Sequence, residues 1–139
     1  MAYSVVEVFG HRQVGKTQMV MSSALLHAAE GKSVLWLAPL KVAAIDVLRD
    51  YQSWQYHHPL AGLIERVYTG NGNEHVLAKS GGRIVFRSFN SPGRGFIPNV
   101  LVCDEVPLEP EVRAALGPAL LRLEKMYVIT CSGELPGGC

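Results

Sequence analysis

Eight consecutive residues, Gly10-His11-Arg12-Gln13-Val14-Gly15-Lys16-Thr17, follow the pattern G-x-x-x-x-G-K-[ST], which is that of a phosphate-binding loop. Glycines at its two ends let the backbone curl until successive N–H groups point inward, and the helix that follows turns its positive end on the anion. In such a loop Lys16 reaches the β- and γ-phosphates of a nucleoside triphosphate, and the Thr17 hydroxyl ligates Mg²⁺. The residues expected at the phosphates are therefore Gly10, His11, Arg12, Gln13, Val14, Gly15, Lys16, Thr17 and Gln18. Average residue usage makes an accidental match a matter of roughly half a percent for a chain of this length, so a merely flexible glycine loop is the weaker reading.

A second reactive set ends the run Val100-Leu101-Val102-Cys103-Asp104-Glu105. A buried apolar strand that delivers two adjacent carboxylates is costly unless the charges are used. In a phosphate-loop ATPase, Asp104 would hold Mg²⁺ and Glu105 would polarise the attacking water. Alone, Asp-Glu after a strand also reads as a charged cap; the preceding loop gives it chemical meaning. The run Met126 to Cys131, followed by Ser132-Gly133-Glu134, is a further strand with a polar end. If that strand sits between those bearing the loop and Asp104, Thr130 and Ser132 lie near the γ-phosphate.

These groups need a scaffold to bring them together. Ser4 to Phe9 reads as a buried strand running into the loop, and Lys16 to Glu30 as a helix with Met19, Val20, Ala24, Leu25 and Ala28 on its apolar side and Gly31 as its stop. Lys32 to Leu37 is a second buried strand ending in Ala38-Pro39. Lys41 to Tyr56 is helical in pattern, with Val42, Ile45, Val47 and Leu48 apolar. Alternating strands and helices of this character predict an α/β fold, a three-layer sandwich with a mainly parallel sheet and right-handed crossovers. Ligands of such sheets sit at the carboxyl ends of the strands, where the loop lies.

Further along, His57-His58-Pro59 breaks the second helix; the histidines lack partners at metal-ligand spacing and read as a solvated helix end. Arg66 to Thr69 is a candidate short strand, and Gly70-Asn71-Gly72-Asn73 a turn cluster. In Gly82 to Phe89, Ile84, Phe86 and Ser88 share one face and Arg83, Val85 and Arg87 the other, which predicts a strand with a wetter side near the sheet edge. Arg94, between glycines in the Ser91 to Gly95 loop, is either a phosphate or nucleic-acid contact or a solvated turn residue. Pro107 to Lys125 carries a helix start near Pro110, interrupted at Gly117-Pro118, which predicts a kink or two short helices.

The 139 residues suit one domain over 1–139, with 136–139 as a flexible tail. Charge is sparse: 18% of residues are charged, 48% are hydrophobic and the formal net charge is +1, so any grip on nucleic acid must come from a local patch, a ring or a partner. The three cysteines have no metal-type spacing; Cys103 and Cys131 sit in apolar runs and read as reduced, buried thiols. No secretory signal or membrane span is visible, and a cytoplasmic location is expected.

Together these residues resemble large terminase subunits, the DNA-packaging motors of tailed bacteriophages. Arg12-Gln13-Val14-Gly15-Lys16-Thr17 is similar to the R-Q-x-G-K-T loop of that family. The strand followed by Ala38-Pro39, Arg94-Gly95, the Val102-Cys103-Asp104-Glu105 strand end and Ile129-Thr130-Cys131-Ser132 resemble its order of elements. The likeness runs from about Val5 to Pro136. It implies a phosphate-loop ATPase with a RecA- or terminase-like core of the additional-strand, catalytic-glutamate type. ATP and Mg²⁺ are its implied cofactors. It also implies a homo-oligomeric ring acting on double-stranded DNA at a capsid portal in the host cytoplasm, with no membrane involved. By the same resemblance Lys16 and Thr17 bind phosphate and Mg²⁺, Asp104 completes the metal site, and Glu105 is the catalytic carboxylate. Arg12 matches a loop arginine used as a finger on the transition state, the other reading being an exposed loop residue. Thr130 to Gly133 matches the motif coupling hydrolysis to movement.

The resemblance implies a small terminase subunit as partner; the family's lid and nuclease domain are expected either from another, separately encoded polypeptide or to be missing from a reduced or truncated copy, so DNA cleavage by this chain alone is not expected. A helicase-like or RecA-like ATPase, and a regulatory module that binds nucleotide without turnover, are the other readings of the same motifs.

Overall fold

A computed structural model of the chain describes residues 3–10, 15–70, 72–89, 96–105 and 117–131. The strands are β1 (Ser4–Gly10), β2 (Ser33–Ala38), β3 (Ile64–Tyr68), β4 (His75–Ala78), β5 (Arg83–Ser88), β6 (Val100–Asp104) and β7 (Lys125–Cys131), and the helices are α1 (Lys16–Ala29) and α2 (Lys41–His57). The seven strands form one sheet in the order β1-β7-β6-β2-β5-β4-β3. From β1 to β5 every pairing is parallel, while β4 pairs antiparallel with both β5 and β3. The fold is thus mixed α/β with a mostly parallel sheet, as the strand and helix alternation predicts.

Both helices cover one face. Val20, Met21, Ala24, Leu25 and Ala28 of α1 and Ala44, Val47, Leu48, Tyr51 and Trp54 of α2 are buried against the inward residues of the strands. Met19 and Val42, assigned to apolar sides from spacing, are exposed at 57% and 62%. Met21 takes the buried place on α1, and α2 is turned so that Ala44 and Trp54 face the sheet. The Tyr51 hydroxyl donates to the Met21 carbonyl at 2.6 Å and ties the helices together inside the core. A smaller cluster on the opposite face holds Leu35, Leu37, Val85, Leu101, Cys103 and Met126, with Leu123 seated on it. Cys103 is buried, as its strand predicts.

Two expectations change. β5 is not near an edge: it hydrogen-bonds β2 on one side and β4 on the other. The strand that removes it from the edge is four residues long, too short to show a period, and the wetter side of β5 is the face opposite α1 and α2. His57 is exposed at the end of α2 as expected, but His58 is half-buried, its ring stacking on Trp54 at 3.6 Å and 8° and its Nδ1 accepting from the Leu60 N–H at 3.0 Å. At Gly117-Pro118 the chain makes a short 3-10 helix, Gly117–Leu120, and only four residues separate it from β7, too few to propagate a longer one. The helix start near Pro110, the 90–95 loop, Asn71 of the turn cluster and the 136–139 tail lie outside the described residues.

Candidate functional site

α1 starts at Lys16 because Gly15 takes a left-handed φ of 70°, a conformation that costs a residue with a Cβ about 1–2 kcal/mol. Gly15 offers no capping side chain and the first turn holds no acidic residue. The positive end of a 14-residue helix thus reaches the carboxyl edge of the sheet without a carboxylate of its own, a setting that favours an anion.

Lys16 is 4% exposed, and its Nζ donates to the Thr130 carbonyl oxygen at 3.1 Å. Thr130 lies near the end of β7, between β1 and β6. The lysine therefore spans from the loop strand to the strand inserted beside it. Thr17 is half-buried and Gln18 exposed. Thr130 enters the site through its backbone, its side chain being exposed.

Asp104 shares a strand face with Val100 and Val102, both packed under the helices. The carboxylate is 8% exposed and accepts from the indole Nε1–H of Trp36 on β2 at 3.3 Å. Burial pushes its pKa from 3.8 to about 6; the charge of Glu105 pushes the same way, while the Trp36 hydrogen bond and the Lys16 ammonium pull it down. The influence of Lys16 brings loop and carboxylate into one electrostatic environment. This buried, reluctant anion is a fitting ligand for a cation, and Thr17 is the hydroxyl that could join it. Among the described residues no group of three or more His, Cys, Asp and Glu could hold a metal. A Mg²⁺ site does not need one, because the ion takes one or two carboxylates and keeps water or phosphate oxygens for the rest.

Glu105 is exposed and has φ 63°, the left-handed region, among residues with side chains the one described case. Its N–H donates to the Ile129 carbonyl at 3.0 Å, carrying the β6–β7 pairing one residue past the strand. That bond holds a backbone whose cost is of order 1–3 kcal/mol, a kind of strain found where function over-determines geometry.

The structure thus gathers Lys16, the Thr130 carbonyl, Asp104 and Glu105 around the end of β7. His11, Arg12, Gln13, Val14, Ser132 and Arg94 lie outside the described residues, and Gly10 closes β1 paired with Cys131. Sequence reasoning missed Trp36. Its only signal was an aromatic residue inside a buried strand, and that it meets Asp104 follows from the β2–β6 register, which pairs Trp36 with Val102.

No family model matches the chain, and no curated protein matches it. Among solved structures, the HK97 bacteriophage large terminase superposes with a TM-score of 0.74 over 94% of this chain at 13% identity. The fold is that of a large terminase ATPase domain. The large terminase ATPase domain of Thermus phage P74-26 gives a TM-score of 0.66 over 96% of the chain at 15% identity. This chain spans 61% of that terminase domain and 29% of the HK97 protein. The terminase likeness therefore covers nearly all of this chain and only part of its neighbours.

Proposed function

We propose that the chain is an ATP-hydrolysing motor core of terminase type, driving double-stranded DNA into a viral capsid as part of an oligomeric ring. The observation that carries this reading is the insertion of β7 between β1 and β6, which sets Lys16, Asp104 and Glu105 around one strand end. The shared fold of the two phage terminases supports it.

In this reading the loop backbone from Gly10 to Gly15 and the N-terminus of α1 bind the phosphates. Lys16 exchanges its Thr130 carbonyl for phosphate oxygens. Thr17 and Asp104 hold Mg²⁺, which when bound neutralises charge on the β- and γ-phosphate oxygens. Glu105, outside the apolar core and next to Asp104, orients a water and accepts its proton. Arg12 reaches the transferring phosphoryl group and offsets its spreading charge. The portal and a small terminase subunit are the partners this role calls for.

ATP turnover by the purified chain, with and without duplex DNA, tests the reading beside Glu105→Gln and Arg12→Ala. Glu105→Gln is expected to bind ATP and not hydrolyse it. Arg12→Ala is expected to bind ATP and hydrolyse it slower by a factor on the order of a thousand. Nucleotide binding by the parent without turnover would leave a regulatory binding module instead.

A further inference from the structure

The face of β3, β4 and β5 opposite α1 and α2 gathers cationic and aromatic side chains. Registers across the three strands set Arg66 opposite Leu77 and Leu77 opposite Arg83, and in the next row Tyr68 opposite His75 and His75 opposite Val85. Arg87 follows on the same face two residues after Val85. Arg66 and Arg83 stand about 10 Å apart across two strand spacings, and Arg83 and Arg87 about 13 Å apart along β5. The Arg66 guanidinium lies over the Tyr68 ring at 4.9 Å, and Tyr68 stacks on His75 at 4.3 Å and 14°. The His75 Nδ1 is anchored on the Asn73 carbonyl at 2.9 Å. This ladder holds Arg66 in place before any ligand arrives.

Two observations suggest a ligand. Among the described residues no carboxylate pairs with Arg66, Arg83 or Arg87, and the Arg87 Nε is buried with no hydrogen-bond partner. A polar cleft of about 110 Å³ opens beside it, bordered by Asn73, His75, Arg83, Arg87 and Phe96. Glu74 also borders the cleft, but its carboxylate is tied to Lys41 Nζ at 3.4 Å. In a chain of net charge +1, three unneutralised guanidiniums on one face are a concentrated field.

We infer that this face is the DNA-contacting surface of the chain, binding the phosphodiester backbone of a duplex. The identity of the polymer rests on the motor reading above; the anion site rests on the arginines. Guanidiniums spread over a sheet face suit phosphate oxygens, and contacts of that kind fix position without reading sequence. Duplex DNA carries one charge per about 1.7 Å of axis, so a patch about 10 Å by 13 Å meets several phosphates at once.

The test measures binding of a short, fluorescently labelled DNA duplex by anisotropy over a range of salt concentrations. The parent is compared with Arg66→Ala, Arg83→Ala, Arg87→Ala, the triple variant, and Arg49→Ala, an exposed arginine of α2. Each single variant is expected to lower the slope of log affinity against log salt by about 1, and the triple by about 3. Arg49→Ala should leave the slope unchanged. The single variants keep the comparison open if the triple fails to fold.

Equal slopes in parent and arginine variants, an equal loss in Arg49→Ala, tighter binding of a single strand than of the duplex, or no DNA binding by the parent would each overturn the assignment. ATP turnover without DNA, measured on the same preparations, reports separately on the motor reading. Turnover with unchanged slopes sinks only this surface, while absent turnover with the expected slopes sinks only the motor.

Discussion

The Trp36 indole Nε1–H donates to Asp104 Oδ2 at 3.3 Å from a ring that is itself fully buried. The bond favours the anion, yet burial and Glu105 outweigh it and hold the carboxyl at about 6 against an ordinary 3.8. Between those values the folded protein keeps a proton that the unfolded chain has released, so stability falls as pH rises through the window. Asp104→Asn, which keeps an acceptor for the indole, is expected to raise unfolding free energy at neutral pH by on the order of 3 kcal/mol. Denaturant titrations should find the gap closing below pH 3.8. Mg²⁺ should raise the melting temperature of the parent and not of the variant, because a bound cation stabilises only the charged form.

Glu105 holds a left-handed backbone that glycine adopts without cost. Glu105→Gly is expected to match or exceed the parent in stability, by up to about 1 kcal/mol once the extra freedom of unfolded glycine is subtracted, while losing ATP turnover. Glu105→Gln keeps the strain and should melt with the parent. Thermal melts beside a phosphate-release assay separate backbone from carboxylate.

Gly82 sits where the end of α1 approaches β5. A Cβ there would collide with the Ala28 carbonyl and lie 2.8 Å from the Lys32 carbonyl oxygen, backbone groups with nowhere to move. Gly82→Ala is expected to cost more than about 3 kcal/mol, read as a lower denaturation midpoint. A neutral outcome would mean that α1 and β5 pack less closely than described.

The Tyr51 hydroxyl reaches Met21 of α1 from within α2. Tyr51→Phe removes one buried hydrogen bond and little volume, so a loss of about 1 kcal/mol is expected, with the denaturant dependence unchanged because the surface exposed on unfolding is the same.

Local chemistry made much of this protein legible from its residues alone. The spacing of Gly10, Gly15, Lys16 and Thr17 fits the pattern of a phosphate loop, the long apolar runs of β2, β6 and β7 are buried strands, and α1 begins at Lys16 as that pattern requires. Those features depend on neighbours within a few positions of the chain. β4, the interior place of β5 and the stacking of His58 on Trp54 depend instead on partners far away or on an element too short to have a period.

The site divides in the same way. The identities of Lys16, Asp104 and Glu105 stand in the sequence, because reactive side chains at strand ends carry their own signal. That β7 separates β1 from β6, that Lys16 rests on the Thr130 carbonyl, and that Trp36 meets Asp104 were decided by strand order and register. Strand order is a contest among long-range pairings whose energies are spread over the entire sheet, and no short stretch of residues records its outcome.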